Sequence, residues 1–298
     1  MDSRIAANRR LWNEWARINQ ESDFYDMAGF RAGQTSLKPI ELEEVGDVAD
    51  KSLLHLQCHF GQDTLSWARM GARVTGIDLS PEAIARAEAL AKELAIDARF
   101  LCADVLDPKE LDDAQFDIVF TSYGALNWLP DLGAWARVIA RHLKPGGRLH
   151  VVEFHPIISM LDEDAKEITS GYFNSGEALR FESTASYAGG DHAPIQSFEW
   201  PHSLGVIVQS LLCAGLTLTS LRGGGPPAAM KQEIWRHYPV GSKVDLVERL
   251  LERGVLQEEG RAITRNRQPG RCCDSGCSTP GQPVMVPLPA SRKSRADD

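Results

Sequence analysis

Between Lys51 and Ser80 the pattern of apolar and polar positions switches from a short continuous run to a helical period and back. Ser52–Leu56 is an apolar run suited to a buried parallel strand. Gln57–Gly61 reads as a loop, and Asp63-Thr64 opens a helix with an acid in its first turn. That helix runs to about Met70, where Gly71 stands as the expected C-terminal cap. Arg73–Ile77 is the next strand, with Asp78 at its carboxyl end. The alternation continues downstream. Ser80-Pro81 starts a helix over Ala83–Leu94, with Ser80 as N-cap and proline at the first helical position. Arg99–Cys102 is a third strand, Leu111–Ala114 a turn and Phe116–Thr121 a fourth strand. Leu132–Leu143 is a helix stopped at Lys144-Pro145-Gly146-Gly147, and Arg148–Phe154 is a fifth strand. Five strands alternating with helices predict an α/β fold built on a doubly wound, mostly parallel sheet.

The flanks differ. Asn8–Asn19 places Leu11, Trp12, Trp15 and Ile18 at helical spacing, an amphipathic helix that packs on the domain or, with Phe24, Tyr25 and Phe30, covers a ligand. Leu37–Val45 reads as another helix. From His155 to Pro201 the periodicity fades while Tyr172, Phe173, Phe181 and Tyr187 accumulate; a long insertion at the functional edge of a sheet reads as a substrate lid. Ser203–Ala214 is a helix capped by Gly215, and Leu216–Leu221 a further strand. The organisation is an N-terminal helical lid over 1–46, a central domain over 47–221 with an insertion at 155–200, and a tail over 222–298.

Composition sharpens the last boundary. The tail holds 13 Lys/Arg against 9 Asp/Glu, whereas the preceding residues hold 19 against 32. Gly223-Gly224-Gly225-Pro226-Pro227 marks the border as a linker would. Within the tail Lys243–Arg253 has an apolar helical face, and from Arg265 onward the chain reads as irregular. Val284–Leu288, near the C-terminus, is short and carries a proline, which makes it a poor closing strand. A missing strand would leave an apolar sheet edge exposed. The tail reads either as a fused segment or as a change of reading frame.

The net charge of −9 over 298 residues argues against a general nucleic-acid binder. No apolar run approaches a membrane span, and the N-terminus lacks the apolar region of a secretory signal. Cys58, Cys102 and Cys213 lie in apolar elements as reduced small side chains, so a cytoplasmic setting is expected. The run His55, Cys58, His59 has metal-ligand chemistry, but adjacent side chains diverge and no second ligand pair stands at zinc spacing; the tail trio Cys272, Cys273, Cys277 is no zinc pattern either. No metal is expected.

Ligands of open α/β sheets bind outside the carboxyl ends of the strands. An acid at Asp78 can accept both hydroxyls of a ribose. A dinucleotide site would need several glycines after strand one, where this loop has Gly61 alone. S-adenosylmethionine has no phosphate and relaxes that demand. Asp104, after strand three, lies at the same edge and can accept the exocyclic amine of an adenine.

Taken together, LLHLQCHFGQDTLSWAR, VTGIDLS, CADV, FDIVFTSYGALNWLPD and LKPGGRLHVVEFHP resemble the class I S-adenosylmethionine-dependent methyltransferases of the small bacterial type, over roughly residues 8–221. The commoner family form has an acid at position 55 and glycines at 57 and 59, where this chain carries His55, Gln57 and His59. The resemblance implies that Gln57, Cys58 and Gly61 line the methionine and ribose end. It implies ribose hydroxyls on Asp78 beside Leu79, adenine on Asp104 and Val105, and Thr121 and Tyr123 facing the sulfonium.

Methyl transfer needs an aligned nucleophile in a dry site, and a base only where the nucleophile must lose a proton. His155, just beyond strand five, is the best-placed base, or else a structural loop histidine; Tyr123 and Glu153 are weaker candidates. No Asn/Asp-Pro-Pro-aromatic run follows strand four, which favours a small-molecule acceptor over a nucleobase. A nicotinamide-dependent oxidoreductase or epimerase and a non-catalytic cofactor-binding protein remain as alternatives. Nothing in the sequence sets the oligomeric state.

Overall fold

The structure, a computed structural model, describes residues 2–161, 168–173, 176–222 and 263–265, the last three as backbone. Five parallel strands carry the fold: β1 (Ser52–Leu56), β2 (Arg73–Asp78), β3 (Arg99–Cys102), β4 (Phe116–Ser122) and β5 (Leu143–Val152). A separate antiparallel hairpin, β6 (Leu179–Ala185) and β7 (Asp191–Glu199), follows. Two short strands, β8 (Leu216–Thr217) and β9 (Ile263–Arg265), complete a seven-stranded sheet in the order β3-β2-β1-β4-β5-β9-β8. The helices are α1 (Ser3–Gln20), α2 (Met27–Arg31), α3 (Pro39–Val45), α4 (Gln62–Arg69), α5 (Pro81–Glu93), α6 (Leu132–His142) and α7 (Leu204–Cys213).

A continuous apolar strand serves two cores because successive side chains leave opposite faces. Leu53, Ile118 and Phe120 turn to one side, against Leu37, Val45 and the fully buried Trp67. Leu54, Leu56 and Val119 turn to the other, against Trp135 and Ile139 of α6 and Ile207 and Leu211 of α7. A third cluster joins Phe60, Leu65 and Phe100 to Met27 and Phe30 of α2 and to α5. Ser80 caps α5 as expected, its hydroxyl accepting the Ala83 amide at 3.0 Å.

Four elements differ from the sequence expectation. β5 begins at Leu143, and the expected stop at Lys144–Gly147 is an irregularity inside it: Phe116 pairs with Leu143, while Ile118 pairs with Arg148. The strand after α7 shrinks from Leu216–Leu221 to two residues. The insertion is ordered as a hairpin around Gly189-Gly190, both in the left-handed region, where strand alternation was too weak to read. The closing strand exists and is Ile263–Arg265: it pairs antiparallel with β5 (Arg148↔Thr264) and with β8 (Leu216↔Arg265), so the edge of β5 is covered. Three residues, Ile-Thr-Arg, are too few to carry a period. Val284–Leu288, Lys243–Arg253 and the tail cysteines lie outside the described residues.

Helix α1 lies on the hairpin. The Asn8 side chain pairs with the Phe198 backbone through both its groups, Nδ2 donating to the carbonyl at 2.7 Å and Oδ1 accepting the amide at 2.8 Å. Among the described residues no helix is long and apolar enough to cross a membrane.

Candidate active site

The strand order reverses between β1 and β4, and at that switch point the loops after β1, β2, β4 and β5 converge. The loop after β1 has an unusual backbone. Gln57, His59 and Gly61 are all left-handed, at φ +56°, +52° and +79°. Two positions that suit glycine are thus held by residues with side chains, at about 1–2 kcal/mol of strain each. Tertiary bonds hold them there. Gln57 Nε2 donates to the Ala125 carbonyl at 2.7 Å, the His59 amide donates to Asp78 Oδ2 at 2.8 Å, and the His59 ring meets Asn19 of α1 at 3.2 Å.

Asp78 is 9% exposed. Its Oδ2 takes the His59 amide and its Oδ1 the Ser80 amide at 2.9 Å. A carboxylate has about four acceptor positions, so the remaining pair suits two vicinal hydroxyls. Burial pushes its pKa up to about 6, against the pull of the Ser80, His59 and Leu79 amides. Only the ionised form accepts from both hydroxyls. A ribose-bearing ligand should therefore bind at full strength above neutrality. Its Kd should rise about tenfold per pH unit below 6, which titration calorimetry from pH 8 to 5 would follow.

The remaining candidates divide. Asp104, two residues beyond β3, forms an Asx turn, Oδ1 accepting the Leu106 amide at 2.9 Å. Leu79 is half-buried beside Asp78, its carbonyl facing Cys102. Val105 is buried in the main core, so its main chain is what it offers a ligand. Cys58 does not line the edge with its side chain: Sγ is buried against Gly76, where a Cβ would lie 2.8 Å from it, and burial pushes the thiol up. Thr121 is turned into the sheet, its hydroxyl donating to the Leu56 carbonyl at 3.4 Å rather than facing a sulfonium. Tyr123 is left-handed at φ +41°, its amide bonded to Val152 at 2.7 Å and its hydroxyl buried without a partner. Burial, then the charges of Glu41 and Asp63, raise that phenol above its ordinary value and keep it protonated.

His155 is not arranged as a base. Its Nδ1 accepts the Ile157 amide at 3.2 Å, which leaves the proton of the neutral ring on Nε2. Glu153 is consumed by structure: Oε1 accepts the Gly124 and Phe154 amides and Oε2 the Ala125 and Leu126 amides, fixing the turn after β4. His55, Cys58 and His59 commit to different partners, and His55 Nδ1 lies 2.8 Å from Thr64 Oγ1. Burial pushes His55 down to about 3, so it is neutral. Among the described residues no group of three His/Cys/Asp/Glu is arranged for a metal ion.

Two acids stand outside the expected site residues: the sequence does not single out Glu41, and Asp63 reads only as the acid of a helix's first turn. Glu41 of α3 is 1% exposed; Oε2 accepts the Lys38 amide at 2.5 Å and Oε1 is buried without a partner. Burial and then the charge of Asp63 push it up to about 8. Asp63, in the first turn of α4, accepts the Ser36 hydroxyl at 2.6 Å and is raised chiefly by burial. Glu41 stands in the run Glu41-Leu42-Glu43-Glu44, where no periodicity separates a buried acid from a solvated one.

Aromatic rings from three segments meet over this edge. Trp12 of α1 lies edge-on to Trp15 at 5.1 Å, Trp128 at 5.2 Å and His59 at 5.3 Å, and Trp15 lies 5.3 Å from Tyr187 of the hairpin turn. Asn13 of the same helix accepts the Ser80 hydroxyl at 2.7 Å.

Residues 53–147 match the family model of a methyltransferase domain. A ubiquinone biosynthesis O-methyltransferase of Xanthomonas oryzae pv. oryzae is 34% identical over 129 residues, which is 42% of this chain and 54% of that protein. Its counterpart in Aeromonas salmonicida is 29% identical over 134 residues, 44% of this chain and 56% of that one. The chain thus spans about half the length of the curated relatives it matches. Among solved structures, an S-adenosylmethionine-dependent methyltransferase from Mesorhizobium loti superposes with a TM-score of 0.49 at 19% identity, over 74% of this chain and 94% of that one.

Proposed function

We propose that this chain, whose residues 53–147 match the model of a methyltransferase domain, is a class I S-adenosylmethionine-dependent methyltransferase that transfers a methyl group to a nucleophilic oxygen, nitrogen or carbon of a small-molecule acceptor. The observation that carries the reading is Asp78 at the switch point, with two acceptor positions left after its backbone bonds. The buried acceptor without a partner at Gln57 Oε1, in the loop after β1, fits the amino-acid end of the same cofactor. S-adenosylmethionine, when bound, supplies the activated methyl group.

The chain's own residues bind, orient and exclude water. Asp78 is the ribose acceptor, with Leu79 beside it, and Asp104 with the Val105 main chain the adenine contacts. The loop at Gln57–Gly61 supports the methionine end, Cys58 from behind as packing. The bonds from α1 to His59 and Ser80 fit a lid made of α1 and the hairpin, its aromatic rings keeping water from the transfer. Glu153 keeps the turn bearing Tyr123 in place. With His155, Tyr123 and Glu153 committed as described, the chain contributes alignment rather than proton removal. The relatives' names support an oxygen nucleophile, and the net charge of −9 favours a small acceptor over nucleic acid.

The test is incubation of a metabolite extract with the protein and deuteromethyl-labelled S-adenosylmethionine, read by mass spectrometry. A small molecule that gains the labelled methyl group is the expected result. Failure to bind the cofactor, together with binding of a nicotinamide dinucleotide, would replace this reading by an oxidoreductase.

A further inference from the structure

We infer that His192 is a proton-operated latch between α1 and the hairpin: neutral, it accepts the Trp15 indole N–H and holds the aromatic cover together; protonated, it turns to Ser183 and lets Trp15 go. The consequence for ligand exchange rests on the methyltransferase reading, whereas the latch itself is a property of the free protein. Trp15 Nε1 lies 3.1 Å from His192 Nε2. An indole nitrogen only donates, so Nε2 must present a lone pair. Nδ1 lies 2.7 Å from the Ala193 carbonyl and therefore carries the ring's one proton. The tautomer of the neutral ring is thus fixed at both ends.

An acceptor for the protonated ring is already in place. Ser183 Oγ lies 3.5 Å from His192 Nε2, and its hydrogen is committed to the Ala185 carbonyl at 2.7 Å. In the neutral state two lone pairs face each other there and no bond forms. A proton added to Nε2 turns that atom from acceptor into donor: the Trp15 bond breaks, and Ser183 Oγ receives the new N–H. The charged side chains on the elements around the ring are Glu14 and Arg17 of α1, Glu182 of β6 and Asp191 of β7. Arg17 is bonded to Glu14 at 2.6 Å, and the charge of His192 acts on Glu14, so a carboxylate stands by to favour the charged ring. The phenols of Tyr187, in the hairpin turn, and Tyr25 are bonded to each other.

Releasing Trp15 loosens what it touches. Its ring lies edge-on to Trp12 at 5.1 Å, to Tyr187 at 5.3 Å and to Trp128, after β4, at 6.0 Å, and the residue is 9% exposed. Without His192 its N–H is a buried donor lacking a partner, an arrangement relieved by turning the indole outward. Imidazoles change charge between about pH 5 and 8. A modest fall in pH therefore loosens the cover at Trp15, while the bonds from Asn8 to Phe198 and from Ser80 to Asn13, which contain no titrating group, stay made.

Near-ultraviolet circular dichroism of the ligand-free protein, from pH 8 to 5, reads the tryptophan packing. Wild type is expected to lose roughly half or more of its tryptophan signal reversibly on acidification. His192→Gln, whose side-chain oxygen accepts from Trp15 at every pH, is expected to keep it. Ser183→Ala and Glu14→Gln each remove a group that favours the charged ring, and each should move the transition to lower pH. No transition in wild type, or the same transition in His192→Gln, would overturn the latch. Should His192→Gln fail to fold, the other two variants decide, and a transition that moves in neither overturns it. Stopped-flow dissociation of S-adenosylhomocysteine reads the consequence. At pH 5.5 wild type should release it about tenfold faster than His192→Gln, and at pH 8 at nearly the same rate. Equal rates at both pH values would overturn control of the site. Asp78 is common to both proteins, so its own protonation cancels in the ratio. Wild-type protein that binds no S-adenosylhomocysteine at pH 8 would instead sink the methyltransferase reading, and the dichroism would still decide the latch.

Discussion

Replacing Asp78 by asparagine is expected to raise the Kd for S-adenosylhomocysteine by roughly 100- to 10,000-fold, since two hydrogen bonds to a charged group are worth about 1.5–3 kcal/mol each. The asparagine has nearly the same shape but turns one acceptor oxygen into a donor. That donor faces either the His59 or the Ser80 amide, so one backbone bond is lost as well. Stability moves less than binding because two effects oppose. The folded pKa of about 6 lies above the usual carboxylate value. The ionised carboxylate therefore opposes folding increasingly as pH rises from about 4 to 6, and fully above that. Asparagine removes that penalty while losing a bond to an amide. A large rise in Kd at pH 8 with a thermal midpoint shifted by only a few degrees is the expected pair of results. Binding that survives the substitution would remove Asp78 from the ribose site.

Gly61→Ala should be the most damaging small change to the fold. A Cβ at this position would meet the Phe100 ring at 2.7 Å and the Ala87 Cβ at 2.9 Å. Phe100 and Ala87 are buried in the cluster shared by α2, α4 and α5, where little room exists to move. The left-handed backbone adds about 1–2 kcal/mol and the overpacking about 1–3 kcal/mol. A loss of about 3–4 kcal/mol corresponds to a thermal midpoint lower by roughly 10 °C for a domain of this size. Gly33→Ala separates the two causes: its φ of +104° is equally left-handed, but nothing lies within 4 Å of the added carbon. Chemical denaturation of both variants should show the larger loss at Gly61. Equal losses would mean that Phe100 yields.

The alternation of short apolar runs with capped helices carried the parallel core through to the structure. Ser80-Pro81 and Gly71 set their boundaries by local chemistry, which acts within a few residues and is therefore readable. What escaped reading depends on distant partners. The strand Ile263–Arg265 is defined by pairing with Arg148 and Leu216, not by its own three residues. The burial of Glu41 comes from the fold closing over α3, and nothing in Glu41-Leu42-Glu43-Glu44 distinguishes it. The place of Asp78 at the carboxyl end of β2 was legible, because the strand pattern fixes where the acid falls. The directions of the Cys58 and Thr121 side chains were not, because each is decided by which neighbour it packs against. His155 was placed correctly in the chain, yet the backbone amide that occupies its Nδ1 arises from a turn two residues later. Gln57 and His59, departures in sequence from the commoner form, turn out to take the left-handed backbone that glycine favours.

The pairing of Asn8 with Phe198 bears on how the protein behaves in concentrated solution. One side-chain amide offers the hairpin a donor and an acceptor, as the next strand of a sheet would. Strand β7 is thereby closed to other chains at that point. Any swing of α1 wide enough to clear the whole cleft would strip this cover and leave a self-complementary edge in solvent.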